Sequence, residues 1–358
     1  VARVVVDAMG GDNAPTAVVR GAVEAIREYG TEVLLVGSRP RLEEELRRFG
    51  GQPSGLELVP AEEVISPAEP PVAAVRQKKD SSLVVGLKLV KEGRGEAFVS
   101  AGSTGALLAG SLFLLGRIEG IDRPALGTIF PTGRGQGYLL LDAGANTTVR
   151  PENLLQYALM GSLYAQYALG IDHPKVGLLN VGTEKNKGTE LHRTAYQLLA
   201  KSGLNFVGNV EARDLPEGKV DVIVSDGFVG NVVLKLTEGT MLSLFSLLRE
   251  EMNRTWRDRL GAFLLLPAFR RLKKRIDYAE YGGAPFLGVD GLVIKCHGSS
   301  DHRAIKNGIK VAQELVRAGM IQRIKQGISE LEVGEEIDQN KTGGDSRGRG
   351  RFARKSLN

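Results

Sequence analysis

The chain has 358 residues, 42% of them hydrophobic and 25% charged, with 46 glycines, four histidines and one cysteine. That length buries a full core in one large α/β domain or two lobes, while the lone cysteine excludes a disulfide framework and the scattered histidines leave little material for a zinc site. A net charge of +5 favours acidic partners, whether protein, anionic lipid or nucleic acid, and the cysteine usage fits a reducing cytoplasm.

The N-terminus reads "RVVVDAMGGDNAP": a run of valines ends at Asp7 and gives way to Gly10, Gly11 and Asp12. It is too short and too quickly polar for a signal peptide. "TAVVRGAVEAIREYG" follows with apolar residues at helical spacing, and "TEVLLVG" (31–37) reads as a second strand. "EAFVSAGSTG" then precedes "ALLAGSLFLLGRI", with Gly102, Ser103 and Thr104 in the loop. The pattern returns in "GYLLLDAGANTTVRP", with Asp142 and Asn146, and in "KVGLLNVGTEKNKG", with Glu184 and Lys187. "LNFVGN" (204–209) is a further strand, "VDVIVSDGFVGN" brings Asp226, Gly227 and Asn231, and "GLVIKCHGSS" brings His297 and Ser299. Each unit is a continuous apolar strand, a Gly-rich polar loop and an amphipathic helix. Continuous apolar strands are buried on both faces, so the fold is α/β, a mostly parallel sheet with helices on each side. In such a sheet the loops at the carboxyl ends share one edge, and six polar loops there predict a central cleft.

Two segments break the rhythm. Residues 254–276 read as an amphipathic helical pair interrupted at Pro267, with Phe263, Leu264, Leu265 and Leu266 beside Arg270, Arg271, Lys273 and Lys274. From Glu332 the chain is polar and ends basic, which predicts a disordered tail over 332–358 after a catalytic domain over 1–331. No apolar stretch is expected to cross a membrane.

The loops lack a Walker A box, because Lys187 precedes Gly188 instead of following a glycine, and they lack G-x-G-x-x-G and G-x-S-x-G. Cys296 closes an apolar run and reads as a buried thiol. What remains favours an oxyanion. Strand–Gly/Ser/Thr–helix junctions present backbone N–H groups and a positive helix end, Lys187 adds a cation, and Asn146 and Asn231 add neutral donors. Phosphate is the simplest ligand for that set.

Together, "DAMGGD" (7–12), "SAGSTGAL" (100–107), "LLDAGAN" (140–146), "LLNVGTEKNKG" (178–188), "DGFVGNVVLK" (226–235) and "HGSSD" (297–301) resemble the bacterial phosphate acyltransferase family PlsX, from Ala2 to about Ile328. Ser103 stands where that family usually has asparagine. The resemblance implies an isocitrate/isopropylmalate dehydrogenase-like, phosphotransacetylase-like fold and a homodimer. It implies conversion of acyl-acyl-carrier-protein and inorganic phosphate to acyl phosphate and free acyl carrier protein, early in phospholipid synthesis, without a cofactor or metal. The product would pass to the membrane acyltransferase PlsY. Phosphate is already an anionic nucleophile and a thiolate leaves readily, so positioning and oxyanion stabilisation suffice. On that basis Lys187 neutralises phosphate or the oxyanion. Ser103, Thr104, Asn146 and Asn231 position phosphate. His297 protonates sulfur or orients the carbonyl, while Asp7 and Asp12 hold the Gly10–Gly11 loop and orient Lys187. Residues 254–276 are expected to dip into an anionic membrane surface on its cytoplasmic side, or else to dock the acidic carrier protein, with no nucleic acid involved. The competing readings are a phosphotransacetylase acting on acyl-CoA, an NAD-dependent decarboxylating dehydrogenase, and a non-catalytic binder built on the basic segments.

Overall fold

A computed structural model describes residues 2–132, 137–276 and 282–343, those at 273–276 and 332–343 by their backbone alone. The first run of elements is β1 (Arg3–Asp7), α1 (Thr16–Tyr29), β2 (Glu32–Gly37), α2 (Arg39–Arg48), β3 (Leu56–Pro60), α3 (Pro71–Gln77), α4 (Ser82–Lys91), β4 (Ala97–Ser100) and α5 (Thr104–Leu114). A second run holds β5 (Ala125–Phe130), β6 (Tyr138–Leu141), α6 (Pro151–Tyr167), β7 (Val176–Asn180), α7 (Glu190–Lys201), β8 (Phe206–Glu211) and β9 (Val222–Val224). The helices α8 (Gly227–Met252) and α9 (Trp256–Ile276) then lead to β10 (Ala284–Leu287), β11 (Leu292–Lys295), α10 (His302–Arg317) and α11 (Met320–Gly343).

The described strands form one sheet in the order β3-β2-β1-β4-β11-β10-β5-β6-β9-β7-β8. Its apolar residues divide by the two-residue period of a strand. Val4, Val6, Val33, Leu35, Leu139, Leu141, Val222 and Val224 pack into the core on one face. Val5, Leu34 and Val36 face the opposite way into a second core, and Leu140 and Ile223 into a third. Burial on both faces is what the unbroken apolar runs require.

The sheet departs from a single shared edge. Strands β3, β2, β1, β4 and β11 are mutually parallel, as are β6, β9, β7 and β8. Between these blocks β10 is antiparallel to both β11 and β5, and β5 is antiparallel to β6. Three reversals leave the second block running against the first. The six polar loops therefore fall into two groups of three, after β1, β4 and β11 and after β6, β7 and β9.

Beyond Leu234, which packs with Val233 on the third core, α8 stands apart from the sheet, as does α9. In α8 only Gly227 and Gly230 are buried, while Phe228, Val232, Leu236, Leu242, Leu244 and Leu247 are exposed. Among the described residues α8 alone is long and apolar enough to cross a membrane, contrary to the expectation that no stretch qualifies; its first turn is nevertheless fixed to the sheet, as the site shows. Helix α9 runs unbroken through Pro267 instead of splitting into a pair. The carbonyl of Phe263 then lacks an intrahelical donor, a loss that water meets on an exposed helix. Helix α11 continues to Gly343, past the expected start of the tail at 332, and 344–358 lie outside the described residues.

Candidate active site

The first group of loops is held together by Asp7. Its carboxylate is buried and accepts the Ser100 hydroxyl at 2.7 Å and the Met9 N–H at 3.1 Å. The Ser100 oxygen in turn accepts the Gly102 N–H at 3.0 Å, so the loops after β1 and β4 are tied by one chain of hydrogen bonds. Gly10 is required by contact: a Cβ there would lie 2.5 Å from Asp7 Oδ2 and 2.8 Å from Gly102 N. Gly11, at φ 100°, adopts a backbone that only glycine takes readily. The third loop joins through Asp12 N–H to the Gly298 carbonyl at 2.8 Å and through Asn13 to the carbonyls of Ser299 and Ser300.

Ser103 is the N-cap of α5, accepting the Ala106 N–H at 3.4 Å, and Thr104 opens that helix. The N–H groups of its first turn are the donors that such a junction offers an anion. Beneath them lies Lys295, 9% exposed, whose ammonium donates to the carbonyls of Ala101 and Cys296. Burial lowers its pKa, against the pull of Cys296, Asp7 and Asp12. Cys296 is buried and its thiol is pushed up to about 12 by desolvation, which removes it as a nucleophile. His297 and Ser299 lie exposed at the end of β11.

The second group is built on Asp142, which is fully buried. Oδ1 accepts the N–H groups of Leu126, Gly144 and Ala145, and Oδ2 accepts both the backbone N–H and the side-chain amide of Asn146. Burial pushes this carboxyl up and the N–H donors pull it down. The Asn146 amide also donates to the Pro124 carbonyl at 2.6 Å and to the Tyr157 oxygen at 3.1 Å. That geometry makes Asn146 a brace of its own loop. Asp226 caps α8, accepting the N–H groups of Phe228 and Val229, both at 2.9 Å. Gly227 donates its N–H to the Asn146 carbonyl at 2.7 Å. Asn231, one turn on, is exposed and its side chain lies over Gly144.

Lys187 sits in the loop after β7. Its ammonium pairs with Glu184 at 3.7 Å, and both side chains are about half-exposed. Asp7 is taken up by Ser100 and Met9, and the carboxylate that pairs with Lys187 is that of Glu184. Two buried asparagines fix this loop: Asn180 donates to the Lys187 carbonyl at 3.2 Å and Asn209 to the Glu184 carbonyl at 2.8 Å. His192, whose Nδ1 lies 2.8 Å from the Thr189 hydroxyl, is held below its usual pKa by burial, with Asp226 acting in the opposite sense. The sequence reading passed over Ser100, Asn180, His192, Asn209 and Lys295. Only Lys295, a cation ending an apolar strand, carried a signal that pattern alone exposes.

Helix α8 starts in the second group, and its charges act on the first. Lys235 lies about 6 Å further along the axis from Asn231 and pairs with Glu238 at 2.9 Å. The charges of both act on His297, and that of Lys235 also on Lys295. One helix thus begins in the Asp142 loop and carries its charges towards the loop after β11.

The residues expected to meet a membrane lie on α9, where Phe263, Leu264 and Leu265 are 71%, 71% and 55% exposed. Leu266, Arg270 and Arg271 are exposed as well, and the side chains of Lys273 and Lys274 lie outside the described residues.

A family model described as fatty acid synthesis protein matches residues 2–323. A phosphate acyltransferase from Alkaliphilus oremlandii is 51% identical over 92% of this chain and 98% of the relative. Another from Desulfitobacterium hafniense is 53% identical over 93% of this chain and 100% of the relative. Among solved structures, a phosphotransacetylase from Staphylococcus aureus superposes with a TM-score of 0.57 at 18% identity, covering 88% of this chain and 94% of that one. One from Streptococcus pyogenes has a TM-score of 0.57 at 17% identity, covering 92% and 94%. These two likenesses bear on the fold, which is phosphotransacetylase-like. The high identity over nearly the whole chain settles the family: this protein belongs to the PlsX phosphate acyltransferases, transferases that pass an acyl group to phosphate.

Proposed function

We propose that the chain converts the thioester of an acyl carrier protein and inorganic phosphate to an acyl phosphate and free carrier. What supports this reading is α8, whose first turn is fixed on the Asp142 loop and whose Lys235 and Glu238 act by their charge on His297 in the other loop group. Phosphate sits against the first turn of α5 and the Gly10–Gly11 loop, where N–H groups face an anion without a side-chain base. Lys187, oriented by Glu184, neutralises the charge that grows on the carbonyl oxygen as phosphate attacks, and Asn231 donates to the same developing charge. Asp12, Ser103, Asp226 and Ser299 shape the loops around the reacting groups. The lack of an activated nucleophile among the described residues fits direct attack, with no covalent enzyme intermediate. Phosphate-dependent thiol release from an acyl carrier thioester tests this step; release at the same rate without phosphate overturns it.

The product joins a fatty chain to a phosphate and is best delivered at a membrane. Helix α9 supplies exposed apolar residues beside Arg270 and Arg271, the composition of an interfacial element. We assign it reversible binding to anionic lipid on the cytoplasmic face, where the membrane acyltransferase PlsY would take the product into phospholipid synthesis. The exposed apolar residues of α8 fit a homodimer, since a solvated helix presents fewer.

A further inference from the structure

His297 has two roles open to it, an imidazolium that protonates the leaving sulfur or a donor to the carbonyl oxygen. The loop geometry distinguishes them. The backbone N–H of Ser299 donates to His297 Nδ1 at 3.2 Å, and the Ser299 hydroxyl lies 2.7 Å from the same nitrogen. A backbone N–H only donates, so Nδ1 must offer a lone pair and the ring proton resides on Nε2. The hydroxyl then donates to Nδ1 as well. Both contacts lie within a three-residue segment whose outer end is fixed by Asn13, which donates to the carbonyls of Ser299 and Ser300.

We propose that His297 acts as a neutral Nε2–H donor to the carbonyl oxygen of the acyl thioester, locked in that tautomer by Ser299, and gives no proton to sulfur. The proposal rests on the phosphate acyltransfer reading above. The surroundings agree with it. Although the residue is exposed, loss of hydration around the ring lowers the His297 pKa, and Lys235 on α8 and Lys295 on β11 act in the same sense. Glu238 on α8 and Asp12 after β1 oppose them, and the balance is downward. A neutral ring is then the main form at neutral pH, and a neutral imidazole polarises a carbonyl without changing charge.

The reaction balances without a proton from histidine. An oxygen of monohydrogen phosphate forms a bond to the carbonyl carbon, and the C=O pair moves to oxygen, facing Nε2–H. That pair returns as the C–S bond breaks, and the thiolate leaves with the bonding electrons. The proton carried in by the phosphate ends on sulfur, giving acyl phosphate and thiol.

The full chain labelled with ¹⁵N-histidine tests this by long-range ¹H–¹⁵N correlation at neutral pH, with His297 assigned from its loss in His297→Gln. The expected spectrum has a protonated Nε2 and an unprotonated Nδ1; an Nδ1–H form or an imidazolium overturns the proposal. Kinetics supply a second readout. Glutamine keeps an N–H donor, so His297→Gln should stay within about tenfold of the native kcat while His297→Ala falls by about 100-fold or more. Native kcat should not decline as pH rises above the ordinary histidine value of about 6.5. Equal loss in both variants, or a native rate that falls across that range, overturns the proposal. The spectrum concerns the ring alone, so failure of the tautomer is distinct from failure to make acyl phosphate.

Discussion

Gly230 lies with its backbone directly on the carbonyl of Asp142: a Cβ added there would sit 1.8 Å from that oxygen. No side chain fits between α8 and the Asp142 loop, and this contact sets where Asn231 and Lys235 stand. Gly230→Ala is expected to push α8 away. Overpacking of this kind costs about 1–3 kcal/mol, and activity should drop further than stability because Asn231 moves with the helix. Thermal unfolding and kcat of the variant check both; a variant with native kcat contradicts the placement of α8.

Lys187→Ala should lower kcat by about 100-fold, the usual loss when one preorganised partner of an oxyanion is removed, while leaving the melting temperature near native because the side chain is half-exposed. Asn209→Leu should lower kcat less, since it only loosens the Glu184 carbonyl that the amide holds. Near-native turnover in Lys187→Ala removes this lysine from the site.

Stability should fall on acidification below the ordinary histidine value. Desolvation lowers the pKa of both His192 and His297 below 6.5. Between those lowered values and 6.5 the unfolded chain binds more protons than the folded one, so unfolding becomes easier as pH drops through that window. The two rings contribute no such penalty above 6.5, where they are mostly neutral in both states. Melting temperatures of the native chain and of the His192→Gln, His297→Gln pair, taken across that range, should diverge downwards for the native chain. Parallel curves contradict the assigned shifts.

Much of the fold was legible because its core strands are continuous apolar runs, each ending in a Gly-rich loop. Three strands, β3, β5 and β10, passed unread, since none is followed by such a loop and helix. Two of them, β5 and β10, are the antiparallel members, and they reverse the second block. Missing them turned two groups of loops into one edge. The site reading shows the same limit. "DAMGGD" and "LLDAGAN" marked the places, and Asp7 holds its loop as expected, yet Asn146 turns out to brace backbone. A carboxylate or amide beside glycines reads alike whether it faces a ligand or its own loop, and only the partners decide.

Leu264 and Leu265 test the lipid-binding assignment. Changing both to Glu should abolish sedimentation with anionic liposomes and leave turnover of soluble carrier thioester intact, because both side chains are exposed on α9, which packs against α8. Native binding should weaken with salt. Unchanged liposome binding with lost carrier-dependent turnover makes α9 a protein dock.

The most direct measurement follows acyl phosphate itself. Native chain is incubated with an acyl carrier thioester or the matching acyl-CoA, with phosphate present or omitted, and acyl phosphate is quantified beside free thiol. The account predicts equal amounts of both products from the carrier thioester, only with phosphate present, and much less from acyl-CoA. Acyl phosphate from acyl-CoA but not from the carrier thioester, or thiol release that ignores phosphate, contradicts it.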